Sequence, residues 1–208
     1  MIHAHGQFCP LPFFAEISTF VLAEPDGDGF QIAVSRTKAG PAVSCFLSPL
    51  HALIDTMYWA GKGRRYEVRH ASLIDPTTFI NADGTALIAE LRVGWPSLDG
   101  KIVLESNGNT ATCAKLMIHS TSGGLPPFFE LDPETLGQVE SLHERAGMYA
   151  WRDLYHDMLE WDNARLQWAA KRAVETMKIS MADSMQWTEA ALFDPKFGQW
   201  HFVPFADL

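Results

Sequence analysis

Residues 148–177 read MYAWRDLYHDMLEWDNARLQWAAKRAVETM, and this stretch decides the fold class. It contains no Gly or Pro, and neither occurs again until Pro195. Trp151, Leu154, Tyr155, Met158, Leu159, Leu166, Ala169, Ala170, Ala173 and Met177 recur at helical spacing. The pattern predicts one amphipathic helix of about 30 residues, roughly 45 Å long at 1.5 Å per residue. Asp162-Asn163 is the place where it could break. Upstream, Asp132-Pro133-Glu134 is a cap followed by a proline start. Leu136, Val139 and Leu142 then trace a preceding helix to about Ala146, and Gly147 is its joint to the next.

The chain before this region has a different character. Its first 133 residues hold ten of the twelve prolines and twelve of the fifteen glycines. Residues 7–14 carry two prolines among apolar side chains and predict an extended entry segment. Strands are expected at 17–23 and 30–37, joined through Pro25-Asp26-Gly27-Asp28-Gly29, and again at 42–47. Ser48-Pro49 caps a short helix whose apolar positions are Leu50, Leu53, Ile54, Met57 and Tyr58, with Gly61 as its stop. Further strands are expected at 66–70, 77–80, 86–93, 101–105 and 110–119. Asp83-Gly84, Asp99-Gly100 and Asn107-Gly108 separate them, which favours an antiparallel meander. Phe193 to Trp200 predicts a type I turn with a glycine bulge, closing a terminal hairpin.

The expected fold is therefore α+β. A mostly antiparallel sheet from the first ~120 residues packs on one short helix and a long helical hairpin, with a terminal β-hairpin. The 208 residues are read as one domain, 1–208, with a subdivision near 125–130 where Ser122-Gly123-Gly124-Leu125-Pro126-Pro127 forms a linker.

The charge balance narrows the function classes. Twenty-five acidic residues against sixteen basic ones give a net charge of -9. Such a surface repels phosphate backbones, so direct nucleic-acid binding is not expected, whereas a basic protein partner is. No apolar run approaches the ~20 residues of a membrane span, and the amino terminus lacks the pattern of a signal peptide. Cys9, Cys45 and Cys113 are odd in number and widely spaced, which suits free thiols in a reducing compartment. A cytoplasmic protein is the expectation.

Chemistry-bearing constellations are sparse, and no cofactor is expected. His3-x-His5 would place two imidazoles on one face of a strand, as a metal-dependent hydrolase requires. Glu140-x-x-His143 and Asp153-x-x-His156 each place a carboxylate and an imidazole on one helix face. Two such pairs make half of a di-metal carboxylate site, and only Asp55 is on hand from the remaining helix. His119-Ser120 next to Gly123-Gly124 lacks the nucleophile elbow of a hydrolase. Arg64, Arg65 and Arg69 form a small basic cluster expected to pair with the acidic helices.

The remaining feature is a ridge of Asp153, Asp157 and Glu160 at i, i+4 and i+7, flanked by Trp161 and Asp162. Aromatic anchors beside carboxylates suit a cationic protein surface. The ridge makes a non-catalytic acidic binding protein the leading expectation, for example an antidote of the immunity-protein type that occludes a basic toxin or another nucleic-acid-acting enzyme. A metal-dependent hydrolase or di-metal carboxylate protein is the alternative. So is a structural subunit that forms a homodimer through its long helix.

Overall fold

The structure, a computed structural model, describes residues 18–27, 29–104, 108, 110, 113–120, 131–181 and 187–205. The class is α+β. Eleven strands among the described residues join in one hydrogen-bonded sheet, with four helices beside it.

The first strands form a layered hairpin system. β1 (Phe20–Asp26) pairs antiparallel with β2 (Gly29–Ile32), and β3 (Val34–Thr37) pairs with β4 (Gly40–Phe46). The change of partner falls at Ala33, whose amide donates to Leu22 while its carbonyl accepts from Ser44. One expected strand is thus two, each serving a different neighbour. α1 (Pro49–Ala60) starts as its capping pattern predicts, with Ser48 Oγ accepting from the His51 amide at 3.1 Å. Gly61 follows the last turn, but it is Gly63 that takes the left-handed backbone, at φ +82°. β5 (Glu67–His70) returns beside β1.

The expected strand at 77–80 is instead a short 3-10 turn, Pro76–Phe79. Asp75 caps it by accepting from the Thr77 amide, and Pro76 occupies the first helical position. The next strand, β6 (Ala86–Leu98), runs five residues past its expected end at Val93. Its first half lies parallel to β4 and antiparallel to β8 (Cys113–Ser120). Its second half pairs with β7 (Lys101–Leu104) across the tight Asp99-Gly100 turn, where both residues have positive φ.

The simple meander is therefore interrupted by two parallel ladders, β4 with β6 and β7 with β9 (Ile179–Met181). The sheet also does not end near residue 120. β10 (Glu189–Asp194) pairs with β6 and with β11 (Gln199–Pro204).

β6 changes partners at a register shift between Arg92 and Gly94. A Cβ at Gly94 would sit 2.9 Å from the Ala191 carbonyl oxygen, so the bulge needs glycine to let β10 close in. Directly above, Asp55 of α1 is 1% exposed. Its carboxylate accepts from Arg92 Nη1 at 2.9 Å and Trp95 Nε1 at 3.1 Å, one donor on each side of the bulge.

The second region holds α2 (Pro133–Arg145), α3 (Trp151–Leu159) and α4 (Asn163–Thr176). The single 30-residue helix is corrected to two. Asp162 accepts from the Arg165 amide at 2.7 Å and caps a new helix, while Glu160 ends the one before. Gly147, at φ +76°, makes the joint after α2. Ala169, Ala170 and Ala173 are buried, and their small side chains let α4 lie against α1. Trp200 of β11 donates to the Ala173 carbonyl at 3.0 Å and ties α4 to the sheet edge. No described helix is long and apolar enough to cross a membrane.

Removing one member of a buried ion pair strands the other charge, at a cost of about 3–5 kcal/mol. Asp55→Ala should lose stability of that order in urea denaturation. A loss under about 1 kcal/mol would mean that Arg92 and Trp95 do not depend on this carboxylate.

Candidate functional site

The inward face of α3 is Trp151, Tyr155 and Met158, which leaves Asp153 and Asp157 in solvent on the opposite side. The end of α3 turns the chain at Trp161 and Asp162, and α4 then presents Arg165 and Trp168 outward. The β10–β11 turn approaches from the sheet. Asp194 Oδ1 accepts from the amides of Lys196 at 2.8 Å and Phe197 at 3.3 Å. Gly198, at φ +64°, donates to the Asp194 carbonyl at 2.8 Å. This closed four-residue turn, residues 195–198, carries Phe197 and falls where the sequence predicts a turn.

Between α3, α4 and the turn lies a groove of about 630 Å³. Its aromatic walls are Tyr149, Trp151, Trp161, Trp168 and Phe197, and its carboxylates are Asp153, Asp157 and Asp194. Tyr149, Trp168 and Phe197 are 79%, 65% and 69% exposed, well beyond what a solvated surface needs of such rings. Asp194 is committed to its turn, but Asp153 and Asp157 form no ion pair among the described residues. The Arg165 guanidinium lies 3.8 Å from the Trp161 ring centroid. No Ser, Cys or His is among the described residues lining the groove; its ionisable side chains are Asp153, Asp157, Asp194, Tyr149, Arg165 and Lys196.

Of the ridge read from the sequence, Asp153, Asp157 and Trp161 meet in this groove. Glu160 and Asp162 do not line it, because the helix break turns them into its end groups. Tyr149, Trp168 and Phe197 were not legible as a set. Trp168 carries a signal, since it stands off the stripe of Leu166, Ala169 and Ala170. Phe197 is an aromatic in a turn, where burial does not require one.

The metal alternatives are dispersed. His3 and His5 lie outside the described residues. Glu140 pairs with Arg152 at 2.6 Å. His143 is buried, stacked on Trp151 with ring centroids 4.5 Å apart, and its Nδ1 donates to the Val139 carbonyl at 2.8 Å. His156 lies edge-on to Tyr155. Among the described residues no three His, Cys, Asp or Glu side chains gather as a metal site would need. The basic cluster also departs from expectation. Arg64 pairs with Glu24 and Arg69 with Glu67, both on strands, because α1 places this loop beside β1 and β5.

Beneath the groove is a second, small cavity of about 30 Å³, lined by Ser48, His51, His143, Trp151 and Tyr155 among others. Met148, Trp151, Leu154 and Pro195 form walls of both spaces. His51 packs edge-on against Trp95 at 4.8 Å. Tyr155 donates its hydroxyl to the Ser18 carbonyl. Burial, with the neighbouring His143 adding repulsion, lowers the His51 pKa to about 3. Burial lowers that of His143 to about 4, against a raising effect from Val139.

Compared with family models, with curated proteins and with solved structures, the chain matches none.

Both histidines fold neutral and charge freely once unfolded, near pH 6.5. Their stabilisation is complete above that value and is lost as pH falls toward 4 and 3. From pH 7 to pH 5 each should remove roughly 1–2 kcal/mol. Urea midpoints of the wild type and of His143→Gln check this. The variant should show a shallower pH slope, and equal slopes would mean that His143 is not held neutral.

Proposed function

We propose that this chain is a non-catalytic acidic binding protein that takes a basic protein partner into the groove of α3, α4 and the β10–β11 turn. The observation that carries the reading is the coincidence of three highly exposed aromatic rings with two unpaired carboxylates in one concave surface. Large aromatics supply the anchors of protein interfaces, and their cost in water makes sense when a partner covers them. Asp153 and Asp157 add the sign of the partner's charge and speed encounter with it. The overall charge of -9 acts in the same direction.

An antidote of the immunity-protein type fits this description. Its target would be a toxin or another nucleic-acid-acting enzyme, whose phosphate-binding surface is basic. The groove would cover that surface and block access to nucleic acid. A cytoplasmic location suits a protein that meets such a target inside the cell that makes it.

The reading is tested by capture from the native host at low salt, followed by mass spectrometry. Wild type should retain a stoichiometric basic protein that is released as salt rises. Trp168→Ser with Phe197→Ser should bind it at least about 30-fold more weakly, the factor that corresponds to loss of a hot spot worth about 2 kcal/mol. Retention of the same protein by the double variant, or recovery of only neutral proteins insensitive to salt, would overturn the proposal.

A further inference from the structure

We infer that the groove is a receptor for an arginine side chain of the partner, and that Arg165 occupies the same aromatic face in the free protein. This inference rests on the reading of the groove as a binding surface and assigns the chemistry of its ligand.

Two unpaired carboxylates line the groove, yet the Arg165 guanidinium forms no ion pair with either; it lies on the indole of Trp161, 3.8 Å from the ring centroid. A planar guanidinium sheds water more easily than an ammonium and stacks on indole better than on other side chains. The backbone of Arg165 is fixed, because its amide donates to the Asp162 cap at 2.7 Å. The side chain is exposed, with Trp161 as its ring contact. Its seat is thus both formed and vacatable. Lys196 has a looser version of the arrangement over Phe197, with Nζ 5.7 Å from the centroid.

A partner arginine placed on Trp161 would gain what Arg165 has, in a groove whose lining also includes Asp153 and Asp157. A lysine would satisfy the charge but not the stacking. Arg165 therefore competes with the ligand from within the molecule. An exposed cation–π contact corresponds to a factor of about two to five in binding, so its removal should raise affinity by that factor.

The probe is an acetylated, amidated hexa-arginine peptide, titrated by tryptophan fluorescence at low salt, with hexalysine alongside. Wild type should bind hexa-arginine more tightly than hexalysine. Arg165→Ala should tighten hexa-arginine about two- to fivefold, and the gain should vanish in the Trp161→Leu background. Trp161→Phe serves instead if the leucine variant melts early. Lys196→Ala removes an equal charge that lies over Phe197 rather than Trp161 and should shift both peptides alike. The inference is overturned if neither form binds hexa-arginine. It is equally overturned if Arg165→Ala leaves affinity unchanged or lowers it, or if the gain survives without Trp161. A host partner that depends on Trp168 and Phe197 but ignores Arg165→Ala would remove this inference and leave the partner reading intact. A partner indifferent to all of these residues removes both.

Discussion

A buried carboxylate organises this molecule. Asp55 sits on the inner face of α1 and receives Arg92 and Trp95 from β6, on either side of the bulge at which that strand changes partners. Its isolation from water makes the two bonds strong and makes any unpaired state costly. The arrangement fixes α1 across the sheet at the point where β6 leaves β4 and β8 and takes up β7 and β10. Gly94 permits the close approach of β10 at the same place. Arg92 also lies over Phe46, with its guanidinium carbon 5.1 Å from the ring centroid, so the charge is held from a second direction.

The surface consequences follow from that junction. Because β10 is pinned beside the second half of β6, its turn to β11 falls next to α3 and α4. Because α4 lies on α1 through alanines, its opposite face carries Trp168 toward solvent, with Arg165 exposed at its first turn. Trp95 continues the chain of contacts through Trp200, 5.1 Å away edge-on, to the carbonyl of Ala173 on α4. The groove is thus made of a helix pair and a turn that are each anchored to the same core. Trp151 and Trp168 stand on helices and Phe197 on a hydrogen-bonded turn, while Tyr149 and Trp161 lie in the joints on either side of α3.

Much of this was legible in the sequence, and the failures have physical causes. Ser48 and Asp132 were readable as caps because each precedes a proline and satisfies a free amide locally, whereas Asp75 and Asp162 cap in the same way without having been read as caps. Asp132 and Asp162 carried different weight. Asp132 precedes proline and announces a start, whereas Asp162 lies inside an unbroken apolar stripe, and only its hydrogen bond to Arg165 shows the stripe to be two helices. Asp99-Gly100 specified its hairpin through backbone geometry alone. The parallel ladders were not readable, because parallel pairing is decided by residues far apart in the chain. Part of the groove's lining was legible, since Asp153, Asp157 and Trp161 are close in sequence. Phe197 joins them across the fold, and no local pattern can reveal that.

The central claim is that the partner meets the face formed by α3, α4 and the β10–β11 turn. Other apolar side chains are exposed on β3 and β8, including Val34 and Ile118, so the claim has a definite rival surface. Amide hydrogen exchange distinguishes them, measured on this protein alone and in the presence of the proposed basic partner. The account predicts slowed exchange at residues 148–168 and 195–199, with β3 and β8 unchanged. Protection confined to β3 and β8, with the groove exchanging as in the free protein, would contradict it.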